Sequence, residues 1–459
     1  RQGREWVKSF EPAEETPAEA AAEGQPAPEE NAAPPAAAEA GKKDAKKKGA
    51  QQAVIPQRAN LISKMTSSGL LQGHRENNRV RFAHPVLSGY LAGLGVARYN
   101  QAAPLAQQPA WTGRLLTGRY LAAFGDPTPL VESLLSQNDP MFARPQLAAA
   151  RLLRDAPRQA AWRGKVIAPL VQLLQNPNHP LGLRAQAMAA LVSSGDPAVA
   201  ALLRQLAALP SPELRQLIAL GMGALQDVKS IEILTAFTRD YAPNTRQAAC
   251  LALVAIGTHP ALEAAAHALL SGDEDTRRAA AEAFATHPGE GYAILKDGAT
   301  SQDILVRRAV VFGLARLGAD WAVELLQKMQ VEDEQWVVRT AATQALEGLN
   351  SPNPRIPHYL SPPAETPWVI EFAGRHGMGV TPGQSATDIF LLALKSEKPE
   401  EQFGAVNYLR FNTSEGVIAA FYALLFSDKY YIRDVIFNLL AEMASNGVKM
   451  PDPHQYGLG

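Results

Sequence analysis

From Trp111 onward, small and apolar residues recur three and four positions apart, in runs broken by glycine, proline and charge. The run Arg307–Asp320, "RRAVVFGLARLGAD", shows the pattern. With Arg307 as offset 0, offsets 3 and 4 hold Val310 and Val311, and offsets 6 and 7 hold Gly313 and Leu314. Offsets 0, 3, 4 and 7 share one helix face, so the run predicts an amphipathic helix with an arginine near its head. Glycine at offset 11 (Gly125, Gly195, Gly257, Gly318) predicts the stop. A second apolar-periodic run follows, as in "SIEILTAF" and "WAVELLQKM", and predicts a second helix. Each unit is a helical hairpin whose small residues let the next hairpin approach closely.

The unit repeats. Arg184, Arg215, Arg246, Arg277, Arg307 and Arg339 follow one another at 31, 31, 31, 30 and 32 residues. Arg114 and Arg144 extend the series upstream, with 40 residues between Arg144 and Arg184. Gln402 and Arg433 resume it, 31 apart, and the 63 residues from Arg339 to Gln402 make two periods with one degenerate repeat. A fixed period near 31 predicts stacked hairpins. The fold class is all-α, a right-handed α-solenoid.

An acid precedes most of these arginines by four to six residues: Asp139, Asp240, Asp273, Asp303, Asp333 and Asp428. An acid at a helix start caps free amides and suits the helix dipole. It can also pair with an arginine of the adjacent repeat. Together with Arg144, Arg184, Arg215, Arg246, Arg277, Arg307, Arg339 and Arg433, these acids predict a structural ladder along the stack.

Composition divides the rest of the chain. Residues 1–53 are dominated by Ala, Pro and Glu, followed by the lysine cluster "GKKDAKKKG"; they lack core-forming residues and read as a disordered linker. Residues 54–100 read as helix, short hairpin turning at Glu76-Asn77-Asn78, then helix, the closing half of a winged helix. Residues 101–350 hold the repeats, 351–384 a Pro-rich insertion or degenerate repeat, 385–450 the C-terminal repeats and 451–459 a tail. "SPNPRIPHYLSPPAETPWVIEF", Ser351–Phe372, is expected to lie extended. The chain starts at Arg1 rather than Met, and is expected to be part of something longer.

The pattern "D…VRxxAAxALxxLG" followed by a second helix resembles HEAT repeats. Its short period is most similar to the HEAT-like repeats named after phycobilin lyases. "ILVRRAVVFGLARLGA" and "WVVRTAATQALEGL" match best, and the resemblance covers roughly Trp111–Leu349 and Phe403–Met443. The stretch Gly69–Gly93, "GLL…RVRFAHPVLSGYLAG", resembles the end of the winged helix in NACHT-type STAND ATPases. Phe82, His84, Tyr90, Leu91 and Ala92 match that motif, and Gly89 stands where Glu is usual. The resemblance implies a sensor arm of repeats behind an ATPase domain.

Candidate chemistry is sparse. No GxxxxGK[ST] phosphate loop, no HExxH and no paired-cysteine motif occurs. HEAT-like deoxyhypusine hydroxylases hold iron with His-Glu dipeptides, and this chain has none. Of nine histidines, His84, His179, His259 and His287 precede proline at element boundaries. Lys plus Arg is 44 and Asp plus Glu is 45, which gives no global attraction to nucleic acid or anionic lipid. The lone cysteine, Cys250, excludes an intrachain disulfide and fits a reducing, cytoplasmic setting. No apolar run is long enough to span a membrane.

The expected function is a non-enzymatic scaffold or sensor that needs no cofactor or metal. It binds a protein partner through its second helices or its aromatic C-terminal repeats, as the C-terminal arm of a STAND-type NTPase. The alternatives are a HEAT-like lyase-type enzyme subunit and a nucleic-acid binder using His74, Arg75, Arg79 and Arg81 of the basic wing.

Overall fold

The computed structural model of the chain describes residues 55–74, 79–108, 112–137, 139, 141–350, 360–383 and 385–451. The expected linker, the hairpin turn and nearly all of the tail lie outside the described residues. The chain divides into two compact units, meeting in sequence at Gly125 and Asp126.

The first unit holds α1 (Ile55–Ser67), β1 (Leu71–His74), β2 (Arg79–Phe82), α2 (Pro85–Arg98), α3 (Ala102–Ala106) and α4 (Thr112–Phe124). The strands pair antiparallel, with Leu71 opposite Phe82 and His74 opposite Arg79. His84 caps α2 by accepting the Val86 amide at 3.3 Å, ahead of a proline in the first turn. Gly89 and Gly93 are buried, and a Cβ at either would lie 2.3 Å from Leu116 Cβ or 2.5 Å from Tyr120 Cβ. Those glycines bring α2 onto α4, with Tyr90 edge-on to Tyr120 at 5.3 Å. The close approach accounts for glycine at position 89, and it extends the first unit beyond the expected boundary at residue 100.

The second unit opens with α5 (Thr128–Leu135), α6 (Arg144–Ala150), α7 (Arg163–Gln175), α8 (Leu181–Ser193) and α9 (Ala198–Leu206). It continues through α10 (Pro212–Ala224), α11 (Ile231–Phe237), α12 (Pro243–Ile256), α13 (His259–Ser271), α14 (Glu274–Phe284), α15 (Glu290–Gly298), α16 (Ile304–Ala315), α17 (Asp320–Glu332) and α18 (Trp336–Asn350). The C-terminal block is α19 (Pro367–Arg375), α20 (Thr387–Ala393), α21 (Pro399–Leu409), α22 (Glu415–Leu424) and α23 (Tyr430–Ser445). The "PWVIEF" stretch is therefore helical rather than extended, because Pro367 sits in a first turn where its missing amide costs nothing.

The protein is an all-α repeat solenoid. Offset 3 lies at the centre of each hairpin from Arg184 to Arg339: Ala187, Ile218, Ala249, Ala280, Val310 and Ala342 are all 0% exposed. Gly195, Gly257 and Gly318 end or follow their helices with φ of 63°, 67° and 57°, where a side chain would be strained. Gly125 serves differently, since a Cβ there would lie 2.8 Å from Ala97 Cβ.

Stacking has a direction. A Cβ on Gly313 (offset 6) would lie 2.5 Å from the Ala281 carbonyl at offset 4 of the preceding repeat. A Cβ on Gly223 (offset 8) would lie 2.7 Å from Ala252 Cα at offset 6 of the following one. Offsets 4 and 8 thus look forward. They hold Met188 and Val192, Ala219 and Gly223, Cys250 and Val254, Ala281 and Ala285, Val311 and Ala315. In α18 the same offsets hold Thr343 and Glu347, and Gln344, Glu347 and Gly348 are exposed. A polar outer face is what an end repeat requires.

The C-terminal block reaches the opposite end of the α8–α18 array from the one the spacing suggested. Its last helix, α23, packs on α8, at the beginning of that array. Phe437, at the forward-facing offset 4 of α23, touches the space beside Gly182, where a Cβ would lie 3.0 Å from its ring. Phe437 also meets the Phe142 ring at 5.7 Å, and Phe142, Ala143 and Leu183 join the core of the C-terminal block.

Candidate functional site

The edge where one hairpin hands over to the next gathers most of the expected ladder. Arg215 forks onto Asp240, with Nε to Oδ2 at 2.7 Å and Nη2 to Oδ1 at 3.2 Å. Arg307 grips Asp333 the same way at 2.8 and 3.1 Å. Arg277 reaches Asp303 at 2.8 Å, and Arg246 reaches Asp273 at 3.3 Å. Each arginine also donates to carbonyls of the loop before its own helix, as Arg307 does to Ser301 at 2.8 Å and Arg339 does to Glu334 at 3.0 Å. The acids face both ways. Asp273 caps the Thr276 amide at 2.9 Å, and Asp303 accepts from Leu305 at 2.8 Å.

This double use fixes the charge states. The hydrogen bond from Arg307 holds the Asp333 carboxyl below its ordinary range, against burial, with help from the Gln335 amide. The Leu305 amide leads the same effect on Asp303. Carboxylates so engaged are poor general bases, because a proton on them would break the bonds that place them.

The rest of the expected ladder is not assembled. Asp139 pairs with Arg144 of its own repeat at 2.6 Å. Asp428 is exposed, and neither it nor Arg339, Arg184 or Arg433 forms an ion pair among the described residues. Arg184 is 2% exposed and donates to the Leu174 carbonyl. Sequence reasoning missed other arginines that pair with an acid of a neighbouring hairpin. Arg163, buried, pairs with Asp196 at 3.0 Å, and Arg375 pairs with Glu401. Their positions fall off the Arg-to-Arg register, so the spacing could not find them.

Aromatic side chains stand exposed along the same hand-over edge. Tyr241 is 74% exposed, Trp336 67%, Phe426 65% and Tyr430 70%. Tyr241 lies 5.3 Å from the Arg215 guanidinium, in cation–π range. Depressions elsewhere bring no reactive pair together. One of about 460 Å³ is lined by hydroxyl and amide groups such as Thr387, Asn412 and Ser414. Another of about 330 Å³ holds Glu282, already engaged by Arg278 and Arg316 at 2.9 Å each. Cys250 is buried, and burial pushes its thiol up to about 12, so it stays protonated and unreactive. Among the described residues no cluster of His, Cys, Asp or Glu could hold a metal, and no helix is long and apolar enough to cross a membrane.

Stacked hairpins bound by this ladder define a protein of the α-solenoid class. The family described as HEAT repeats matches residues 203–285, and the PBS lyase HEAT-like repeat matches residues 306–331. HEAT-type repeats are therefore present in the chain. No curated protein matches it. Solved structures similar to it include human deoxyhypusine hydroxylase in complex with glycerol, at 20% identity over 57% of this chain and 99% of that one, with a TM-score of 0.22. Two engineered proteins are also similar. One has 19% identity over 75% of this chain and 98% of its own, with a TM-score of 0.24. The other has 22% identity over 48% and 95%, with a TM-score of 0.19. None of these likenesses bears on activity.

Proposed function

We propose that this chain is a non-enzymatic HEAT-repeat scaffold whose hand-over edge binds a protein partner in the cytoplasm. The observation that carries the reading is the set of exposed aromatics at the heads of first helices, Tyr241, Trp336 and Tyr430. Large aromatic side chains beside arginines are the composition of binding hot spots, and they gain most when a partner removes them from water. The ladder acids next to them are committed to capping and pairing, which leaves the edge suited to recognition rather than catalysis. The partner that fits presents apolar side chains flanked by acids.

The same reading places the chain as the sensor arm of a STAND-type NTPase. That part of the proposal rests on the sequence resemblance of Gly69–Gly93 alone.

The test is affinity capture from the native extract, comparing the wild type with Trp336→Ala, Tyr430→Ala and Tyr241→Ala combined. These side chains are exposed, so the variant stays folded, with at most about 1 kcal/mol lost where Tyr241 meets Arg215. A protein recovered in stoichiometric amount by the wild type and lost by the variant supports the reading. Identical recoveries, or stoichiometric nucleotide binding by the chain, overturn it.

A further inference from the structure

The loops that join first helix to second are spare in the central repeats, where offset 11 holds Gly195, Gly257 or Gly318. The repeat of Gln402 departs from this. Its loop reads Phe411-Asn412-Thr413-Ser414, with Thr413 where the glycine stands elsewhere. Phe411 is 80% exposed, the most exposed large apolar side chain among the described residues. Of these side chains the turn uses Asn412 alone, whose Oδ1 accepts the Ser414 amide at 3.0 Å.

The loop between α19 and α20 meets this one. Ser385 and Thr387, at the head of α20, share a hydrogen bond of 3.0 Å. Ala386 between them takes a φ of 51°, a conformation that alanine rarely adopts. The Asn412 amide reaches the Thr387 hydroxyl at 3.5 Å. The depression of about 460 Å³ lies between the two loops. That volume falls within the range of about 300–1,000 Å³ that small-molecule sites occupy. Tyr408 forms part of the wall and is held in place, its ring stacked on Phe390 at 4.5 Å and its hydroxyl bonded to Thr366 at 2.7 Å.

Three features of the lining define what fits. It includes no Lys, Arg, Asp or Glu, so an ion finds no counter-charge there. The Thr413 and Ser414 hydroxyls are bonded to no described residue, and Ser414 does not cap α22 with its side chain. Each of these hydroxyls can donate and accept. The third feature is the Phe411 ring, an apolar surface beside them. An apolar ligand would strip water from the hydroxyls and replace none of its hydrogen bonds. A ring that carries hydroxyls at its edge and C–H groups on its face satisfies all three features.

We propose that this depression binds a neutral sugar ring. The C–H face of the sugar lies on Phe411, and its hydroxyls bond to Thr413, Ser414 and the free N–H of Asn412. The site is at the end of α21 opposite the hand-over edge, so it is separate from the surface assigned to a protein partner.

Saturation-transfer NMR tests this on the full chain. The probes are the methyl glycosides of glucose, galactose, mannose and N-acetylglucosamine, and the disaccharides maltose, cellobiose and chitobiose. At least one probe receives saturable transfer, with a dissociation constant in the millimolar range that a shallow site gives. Phe411→Ala weakens that constant by at least about tenfold, and Ser414→Ala by about threefold. Phe426→Ala removes another exposed ring, at the hand-over edge, and leaves the constant unchanged. Transfer to a monosaccharide identifies a site for a single sugar unit, and transfer to disaccharides alone identifies a site for an oligosaccharide. No saturable transfer from any probe up to about 50 mM overturns the proposal. An equal response in Phe411→Ala and Phe426→Ala also overturns it, since sugars that adhere to any bare aromatic ring need no site.

Discussion

Asp434 on α23 accepts a 2.8 Å hydrogen bond from the amide of Leu181, the first residue of α8 and 253 positions earlier in the chain. The residue before α8 is Pro180, which has no side chain to cap the helix. The C-terminal block therefore supplies from outside the cap that α10, α14 and α16 draw from their own Ser211, Asp273 and Asp303. A carboxylate there satisfies one orphan donor and faces the positive end of the helix dipole.

Removing that cap loosens the junction. Asp434→Ala lowers stability by about 1 kcal/mol, the usual loss for a capping residue. Asp434→Asn, which keeps an acceptor, recovers most of it. Hydrogen exchange locates the effect, because the amides from Leu181 to Arg184 exchange faster in the alanine variant. Unchanged protection there would show that Asp434 and α8 do not act on each other in solution.

The ladder makes stability depend on pH in a defined direction. Arg307 holds the Asp333 carboxyl below its ordinary value. A depressed acid contributes its full stabilisation above the unfolded pKa of about 3.9 and loses it as pH falls through the folded value. Asp333→Asn leaves Arg307 without its counter-charge and costs about 3 kcal/mol at neutral pH. The gap between wild type and variant narrows below about pH 4. Denaturant melts from pH 7 to pH 3 follow it, and a gap that stays constant across that range would remove the pair from the stability account.

Two glycines test the stacking direction with the same substitution. Gly313→Ala puts a methyl 2.5 Å from the Ala281 carbonyl, a backbone atom that cannot swing away. It costs about 1–3 kcal/mol. Gly348→Ala meets nothing within 4 Å. It gains up to about 1 kcal/mol, because alanine has less freedom to lose in a helix. Equal melting temperatures for the two variants would contradict the register.

The repeat was legible because its determinants are local. An arginine, a pair of small residues and a glycine stop repeat at one period, so the position of the core follows by counting. The ladder pairs were legible for the same reason, since each acid serves the helix beside it. The place of the C-terminal block was not, because it depends on which ends are closed. One signal was available: Thr343 and Glu347 stand where the five preceding repeats carry apolar or small residues. Exposure of Tyr241 and Trp336 could not be counted from spacing, because both lie outside the helix-face pattern.

The polar face of α18 yields the last prediction. Forward faces in this stack are apolar because another helix covers them, as Val311 and Ala315 show on α16. On α18, Thr343 receives a 3.1 Å hydrogen bond from Gln330 and returns its own hydroxyl to the Arg339 carbonyl at 3.0 Å. Glu347 stands exposed one turn further along. Thr343→Val with Glu347→Leu restores the interior pattern on a face that water now reaches. Such a face recruits the nearest surface that can cover it, and a second copy of the chain offers one. The double variant should therefore sediment faster than the wild type as concentration rises, while circular dichroism shows the same helix content. Sedimentation identical to the wild type at every concentration would mean that this face is already covered, and that α18 does not end the array.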